Sequence, residues 1–395
     1  MSQSIEQESL FTGYTGHLFL TFSLGWLLIQ VGMQLLPPLL PQIIADLSIT
    51  PAEAGIALTL QWLAYALLQF PGGRLSDQLS RKTLLVGGSV LIVAGLLVLT
   101  RAVAYSVFLV GVTVVGLGAG LFTTPARALV SDLFVERRGQ AVGLHVAAGD
   151  IGTVLAAGVA VVALAVAPWQ WSFLPVALAL ALVTVVVHIL SRESYVIDGV
   201  AFDVRGAGRR LYADSYLMQI LVAYALFTFV WQSVAGFLPT YLTAEKGMSL
   251  GLASAAFAVY FGVGILAKPL AGLLADRIDR ATVATGGLGL ASGGLGVMLF
   301  AGRTAVIFVG VSIFAIGFSM FSPVIQAYLM DLIADGTMGS DLGAARSFAI
   351  GLGAVGPTYV GIVASFSDYS WAFGGLFVCL LASVALLHYS PATAE

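Results

Sequence analysis

Apolar residues occur in this chain as long runs separated by short polar links. Twelve such runs hold about 20 residues each, the length at which a helix crosses the hydrocarbon core of a bilayer. The pattern therefore predicts an all-α membrane protein with twelve transmembrane helices. The expected spans, numbered 1 to 12 in chain order, are 17–43, 52–72, 83–100, 105–128, 139–163, 168–190, 216–241, 250–274, 282–300, 304–328, 342–365 and 370–390.

One link is longer and more charged than the others. Residues 191–215 hold eight charged side chains and separate six spans from six. We therefore predict an N-terminal six-helix bundle over residues 1–190, a linker over 191–215 and a C-terminal six-helix bundle over 216–395.

A charged loop between spans 2 and 3 returns between spans 8 and 9. Both copies read Gly-x-x-x-Asp-x-x-x-Arg, and they lie 199 positions apart, about half the chain. A fixed offset of this size indicates two copies of one structural unit, so the two bundles are expected to be pseudo-symmetric. The paired positions are Gly73, Asp77 and Arg81 in the first copy and Gly272, Asp276 and Arg280 in the second.

The composition agrees with a membrane protein. Of the 395 residues, 59% are hydrophobic and 9% are charged, whereas soluble domains carry about 25% charged residues. The net charge of −3 is too small to indicate a charged partner, and we expect no nucleic acid. The single cysteine, Cys379, excludes an internal disulfide. Without a cluster of metal ligands or catalytic side chains, we expect no metal, no cofactor and no enzymatic activity.

The distribution of basic residues predicts the orientation. Of the 17 Lys and Arg residues, 14 fall on the side that holds both chain termini, and three fall on the other. Cytoplasmic links carry the excess of Lys and Arg in membrane proteins. The chain is therefore expected to be a multi-pass protein of the cell membrane with both termini in the cytoplasm.

The duplicated loop, the two six-span halves and the central linker together resemble the major facilitator superfamily of secondary transporters. The resemblance covers about residues 17–390 and implies a solute site between the halves near the bilayer midplane. It also implies that the duplicated loop is a conformational latch. The second copy is the weaker one, because Lys82 of the first loop is matched by Ala281.

Asp150 is the one carboxylate expected at mid-membrane. It lies about eleven residues into span 5, roughly 16 Å deep at 1.5 Å per residue. A carboxylate at that depth must face a cavity or the bundle interior, and burial favours proton uptake. We therefore predict that Asp150 carries the coupling proton, the alternative being a structural hydrogen bond. His145 lies about 140° off the same helix face, so a direct pair is not expected.

Polar and aromatic residues in the spans are candidates for contact with the solute. Glutamine is costly against lipid, so these side chains should point inward, and the alternative for each is a bond between helices. The predicted substrate-binding residues are Gln30, Gln34, Gln61, Tyr65, Trp231, Gln232 and Gln326.

Two basic residues, Arg127 and Lys268, are expected near the cytoplasmic ends of spans 4 and 8. Either could attract an anion into the cavity or simply extend toward the membrane surface. No basic residue is expected in the middle of any span, and Asp150 would repel an anion. The sequence therefore argues against a carrier that grips an anion with central arginines.

These features predict a proton-coupled secondary transporter of a small organic solute that works by alternating access as a monomer in lipid. One alternative is a multidrug efflux proton antiporter. The family resemblance weakens it, because span 5 has no proline and Val112–Gly120 has no basic residue. A cavity rich in aromatics would favour efflux, and one rich in glutamine a defined polar solute. An alternative of another class is a non-transporting membrane sensor on the same scaffold.

Overall fold

The structure, a computed structural model, describes residues 9–196, 215–275, 277–332 and 338–388, and within them it is helical with no strand. Side chains 70–78, 331 and 338–341 are not described. The helices are Gly13–Gln34 with Leu36–Asp46 (span 1), Pro51–Gln78 (span 2), Arg81–Leu99 (span 3), Tyr105–Leu133 (span 4), Arg138–Val166 (span 5), Phe173–Leu190 (span 6), Ser215–Ala244 (span 7), Leu250–Ala275 (span 8), Arg280–Phe300 (span 9), Thr304–Leu332 (span 10), Met338–Gly353 with Gly356–Phe366 (span 11) and Tyr369–His388 (span 12).

The predicted fold class is confirmed. Over the described residues, eleven spans are long and apolar enough to cross a membrane. Span 2 is 28 residues long but more polar, since it carries Gln61 and Gln69, which are buried inside the protein rather than turned to lipid. Large apolar side chains point outward from other spans; Leu182 is 66% exposed and Leu266 72%. Lipid is the solvent in which such surfaces are stable.

Spans 1 and 11 are each broken into two helices. The break at Leu35 precedes Pro37 and Pro38, and the break before Gly356 precedes Pro357. Proline lacks the N–H that would continue the helical ladder, and its ring displaces the preceding turn. The prolines that follow account for the positions of these two breaks.

Glycines let neighbouring spans approach at corresponding places in the two halves. A Cβ on Gly118 would lie 2.6 Å from the carbonyl oxygen of Gly88, and a Cβ on Gly317 would lie 2.4 Å from that of Gly287. The two pairs join spans 3 and 4 and spans 9 and 10, and each pair is related to the other by the offset of 199 residues. Small residues at such crossings let backbones pack closely in lipid, so the repeat in sequence is a repeat in packing.

The two halves meet through span 2 against span 11, span 5 against span 8 and span 1 against span 7. The starts of spans 1, 3 and 9 lie on one side of the molecule, called the charged side because Arg81 and Arg280 begin spans 3 and 9 there. On the opposite side the halves are closed together. Thr59 Oγ1 and Thr358 Oγ1 are 2.7 Å apart, and a Cβ on Gly55 would lie 2.4 Å from the Pro357 carbonyl oxygen.

Candidate functional site

A cavity of about 660 Å³ lies between the two halves. Spans 1, 2, 4 and 5 line it from the N-terminal half, and spans 7, 8, 10 and 11 line it from the C-terminal half. Toward the charged side it reaches Val142 and Met330, which lie close to the charged-side ends of spans 5 and 10. Trp62 and Trp231 line it as well, and their rings meet edge to face at a centroid distance of 5.0 Å.

The structure brings five of the seven predicted substrate residues to the cavity wall. They are Gln30, Gln34, Tyr65, Trp231 and Gln326.

The other two are buried in contacts between helices and do not line the cavity. Gln61 Nε2 donates to the Met33 carbonyl oxygen at 3.4 Å, joining spans 2 and 1. Gln232 is fully buried, and its Nε2 donates to the Ile350 carbonyl oxygen at 3.1 Å, joining spans 7 and 11. A buried amide needs hydrogen-bond partners, and each of these two glutamines finds one in a backbone carbonyl of a neighbouring span. A polar residue in a span therefore does not by itself identify a solute contact.

Asp150 also lines the cavity, and it is paired with Lys268. The Lys268 Nζ donates to both carboxylate oxygens at 2.7 Å. The Lys268 side chain is 34% exposed and the Asp150 side chain is 18% exposed. The pair joins span 5 of one half to span 8 of the other. The sequence predicts Asp150 at mid-membrane and Lys268 near the cytoplasmic end of span 8, because depth is counted along each helix separately. The contact between spans 5 and 8, which brings the two residues together, does not follow from such a count.

The cavity holds more positive charge than expected. Arg127, Lys268 and Arg346 all line it, whereas Asp150 is the one acidic side chain among the described lining residues. All three lie within eight residues of a helix end rather than in the middle of a span. Helices of 29 residues, such as spans 4 and 5, extend past the hydrocarbon core, so a residue one or two turns from a helix end still faces the space between the halves.

Arg127 and Arg346 belong to a cluster of donors contributed by both halves. Arg127 lies within electrostatic range of Arg346, Tyr65 and Tyr224, and also of Asp150. Arg346 Nη1 donates to Gln326 Oε1 at 3.2 Å. We call Arg127, Arg346, Tyr65, Tyr224 and Gln326 the arginine–tyrosine cluster. From the sequence, Tyr224 is one of the aromatic residues of span 7, whereas Arg346 is expected only near a cytoplasmic helix end and not at the site.

Aromatic rings form much of the remaining wall. In addition to Trp62 and Trp231, the aromatic residues that line it are Trp26, Phe227, Tyr260, Phe261 and Phe318. The cavity thus combines polar and aromatic surface, and the simple choice between a glutamine-rich and an aromatic-rich site does not apply.

His145 lies outside the cavity lining, inside the N-terminal half. Its Nδ1 is 3.1 Å from Ser23 Oγ, and its ring stacks near Trp26 at 6.0 Å and packs near Phe22 at 5.5 Å. The described contacts of His145 are with span 1, and Asp150 is paired with Lys268 instead. His145 fastens span 5 to span 1.

The described contacts of the predicted latch stay within each half. Arg81 forms an ion pair with Asp132 at 2.6 Å, tying span 3 to the end of span 4. Arg280 Nη1 donates to the Ala327 carbonyl oxygen at 3.0 Å, tying span 9 to span 10. Gly272 lies in span 8 with open space where a Cβ would point. The side chains at Gly73 and Asp77, and the whole of Asp276, lie outside the described residues, as does most of the predicted linker.

Within the described ranges, no group of three or more His, Cys, Asp or Glu side chains is placed to hold a metal ion.

Comparisons with known proteins indicate one family of membrane transporters. The model of the Major Facilitator Superfamily matches residues 22–353 and 220–395. Multidrug resistance protein MdtL from Citrobacter koseri is 32% identical over 99 residues, so the match spans about a quarter of each chain. Multidrug resistance protein MdtH from Aeromonas hydrophila is 24% identical over 343 residues, 86% of this chain and 85% of that protein.

A similar fold occurs in the crystal structure of a bacterial homologue of the human lysosomal transporter Spinster, in an inward-facing and occupied conformation. The TM-score is 0.82 with 16% sequence identity, over 97% of this chain and 98% of that chain. At that identity the likeness is one of fold.

Proposed function

This chain belongs to the Major Facilitator Superfamily, and from that premise we propose that it is a secondary transporter that moves a small organic solute across a membrane by alternating access. The observation that carries the proposal is the cavity between the halves, which is closed on one side and extends toward the other. A site between two similar bundles is exposed to each side in turn when the bundles rock. Both halves of one chain contribute described lining residues, and we propose that the protein acts as a monomer.

Closure of the opposite side gives a test that needs no knowledge of the solute. In a Cys379→Ser background, Thr59→Cys and Thr358→Cys place two thiols across the closed contact, because the native hydroxyl oxygens are 2.7 Å apart. Ser322→Cys adds a third thiol on the cavity wall. Oxidation should join positions 59 and 358 and hold the opposite side shut.

A membrane-impermeant thiol reagent is then applied separately to each face, using right-side-out and inside-out vesicles. Before oxidation, position 322 should react from both faces; afterwards it should react from the charged side alone, and a reductant should restore the other. The variant with Thr358 unchanged is the matched control and should keep access from both faces. Equal labelling from both faces after cross-linking would refute alternating access.

We further propose that Asp150 couples transport to protons, supported by its pairing with Lys268 across the halves. Protonation would remove the negative charge that holds Lys268, so the contact between spans 5 and 8 would respond to pH. The relative motion of the halves requires that contacts between them be made and broken. An ion pair that spans the halves is a contact of this kind.

For the duplicated loops we propose the latch role in a modified form. In this conformation, Arg81 and Arg280 hold the ends of spans 3 and 9 to spans 4 and 10 of their own halves. In this proposal each loop moves together with its own half. Closure of the charged side would bring the two edges together, where charged groups could pair.

Efflux of multiple drugs is a second candidate function. The aromatic wall supports it, and so does the name of the relative that matches most of the chain, MdtH. Transport of structurally unrelated amphipathic compounds, each competing with the others, would favour efflux. One compound class transported to the exclusion of others would favour a defined solute.

A further inference from the structure

The charge of the cavity points to the class of its solute. Lys268 and Asp150 neutralise one another through two bonds of 2.7 Å. Asp150 also lies within electrostatic range of Arg127, but this one carboxylate faces Arg127, Lys268 and Arg346, so the described lining residues keep an excess of two positive charges. Unpaired charges inside a membrane protein are costly, so such a site favours a counter-charge brought by the solute.

The two arginines have donor capacity left for a solute. The Arg127 guanidinium makes no hydrogen bond or ion pair with the described residues and is partly accessible. Arg346 gives one N–H to Gln326, and its Nε is buried without a partner. A guanidinium offers five N–H donors in a planar fork that matches a carboxylate. Both forks border the same cavity.

The neighbouring phenols add donors of the right kind. The Tyr65 hydroxyl accepts a hydrogen bond from Gln69 Nε2 at 2.9 Å, which leaves its own proton for another acceptor. Tyr224 lies within electrostatic range of both arginines. A hydroxyl can donate one hydrogen bond, so the arginine–tyrosine cluster is dominated by donors.

Resting on the transport function proposed above, we propose that the solute is an organic anion: a carboxylate that binds between Arg127 and Arg346, carried on an apolar body that packs against the aromatic wall. From the sequence alone, Asp150 was expected to repel an anion. Its pairing with Lys268 neutralises that charge and removes the repulsion. A cavity of about 660 Å³ lies within the range of about 300–1,000 Å³ typical for small organic ligands.

The location of the arginines also couples binding to motion. Arg127 belongs to span 4 of one half and Arg346 to span 11 of the other, and the two repel each other. Without an anion, this repulsion opposes closure of the charged side. A bound carboxylate neutralises both and lets the halves approach, so the loaded carrier closes more readily than the empty one.

The test measures the charge selectivity of the cavity with thiol reagents of opposite sign. Ser322→Cys in a Cys379→Ser background reacts with an anionic methanethiosulfonate (sulfonatoethyl) or a cationic one (trimethylammonioethyl). The reference is Ser194→Cys, an exposed position beyond span 6. Clefts of one sign raise the local concentration of counter-ions by about 10-fold or more, so the anionic-to-cationic rate ratio at position 322 should exceed the reference ratio by about 10-fold.

Arg127→Gln and Arg346→Gln should each lower that ratio, and the double variant should bring it to the reference value. A ratio at position 322 equal to the reference, or unchanged in the double variant, overturns the proposal. Folding is checked by the elution profile and melting temperature of each purified variant.

Binding is measured in the same background by protection of position 322 from the anionic reagent. The probes are aliphatic and aromatic monocarboxylates such as octanoate and 2-naphthoate, each compared with its neutral amide. Carboxylates should slow labelling and amides should not, and the protection should be lost in Arg127→Gln/Arg346→Gln. Failure of every carboxylate to protect, or equal protection by the amides, overturns the proposal. Failure of alternating access alone, in the cross-linking experiment, would leave this binding result intact.

Discussion

At the scale of single residues, the pair of Asp150 and Lys268 is the contact with the most consequence. It lies between the halves, and its partial exposure to the cavity limits the cost of removing two charges from water. Removal of one partner leaves the other charged and unpaired. Removal of both leaves two neutral polar groups, so the stability of the three variants should not be additive.

Asp150→Asn and Lys268→Gln should each lower the melting temperature of the purified protein by several degrees, corresponding to about 1–3 kcal/mol for an orphaned charge. The double variant should recover part of that loss. The measurement is a thermal melt in one detergent with all four proteins. Additive losses in the double variant would contradict the direct pair.

The role of Asp150 in coupling has a separate readout. Asp150→Asn resembles the protonated side chain permanently, so it should abolish accumulation driven by a pH gradient and leave exchange of solute across the membrane. The assay is uptake of a protecting carboxylate into proteoliposomes, with and without an imposed pH difference. Asp46→Asn, at an exposed carboxylate on the opposite side, is the control. Full pH-driven accumulation by Asp150→Asn would remove it from the coupling mechanism.

At the scale of elements, close helix crossings hold each half together. Pairs of adjacent glycines allow the effect of helix packing on stability to be distinguished from the effect of helix propensity. Gly88 faces span 4, where a Cβ would lie 2.8 Å from the Gly118 carbonyl oxygen, whereas a Cβ on Gly87 would meet nothing within 4 Å. The repeat supplies the same contrast in span 9. A Cβ on Gly287 would lie 2.9 Å from the Gly317 carbonyl oxygen, and one on Gly286 would meet nothing within 4 Å.

Gly88→Ala and Gly287→Ala should therefore each destabilise the protein by about 1–3 kcal/mol, because the added methyl group forces two helices apart. Gly87→Ala and Gly286→Ala should be neutral or slightly stabilising, since alanine is the better helix former. Melting temperatures of the four single variants test this. Similar losses at all four positions would mean that the crossings do not depend on glycine.

At the scale of the whole molecule, the orientation in the membrane sets the direction in which the cavity opens. The charged side carries most of the basic residues, and we propose that it faces the cytoplasm of the cell. Ser194→Cys on that side and Arg303→Cys between spans 9 and 10 on the other are both exposed. In intact cells lacking Cys379, an impermeant thiol reagent should label position 303 and leave position 194 unlabelled until the cells are opened. The reverse pattern would invert the topology.

The sequence by itself predicted the spans, the two halves and their symmetry, because bilayer thickness sets the length of an apolar helix and an offset of 199 residues is visible without any contact. It also located Asp150, since a lone carboxylate in an apolar run must face inward. These are properties of one segment or of its repeat. They need no knowledge of which helices are neighbours.

Only the tertiary structure decided which polar groups meet. Asp150 and Lys268 are 118 residues apart, and their pairing depends on how span 5 packs against span 8. Helix packing likewise places Gln61 and Gln232 against backbone carbonyls of neighbouring spans. It also places Arg127 and Arg346 on the wall of one cavity. Rotation and tilt of each helix are set by contacts with its neighbours, so no count along a single span could tell a solute-facing glutamine from a buried one.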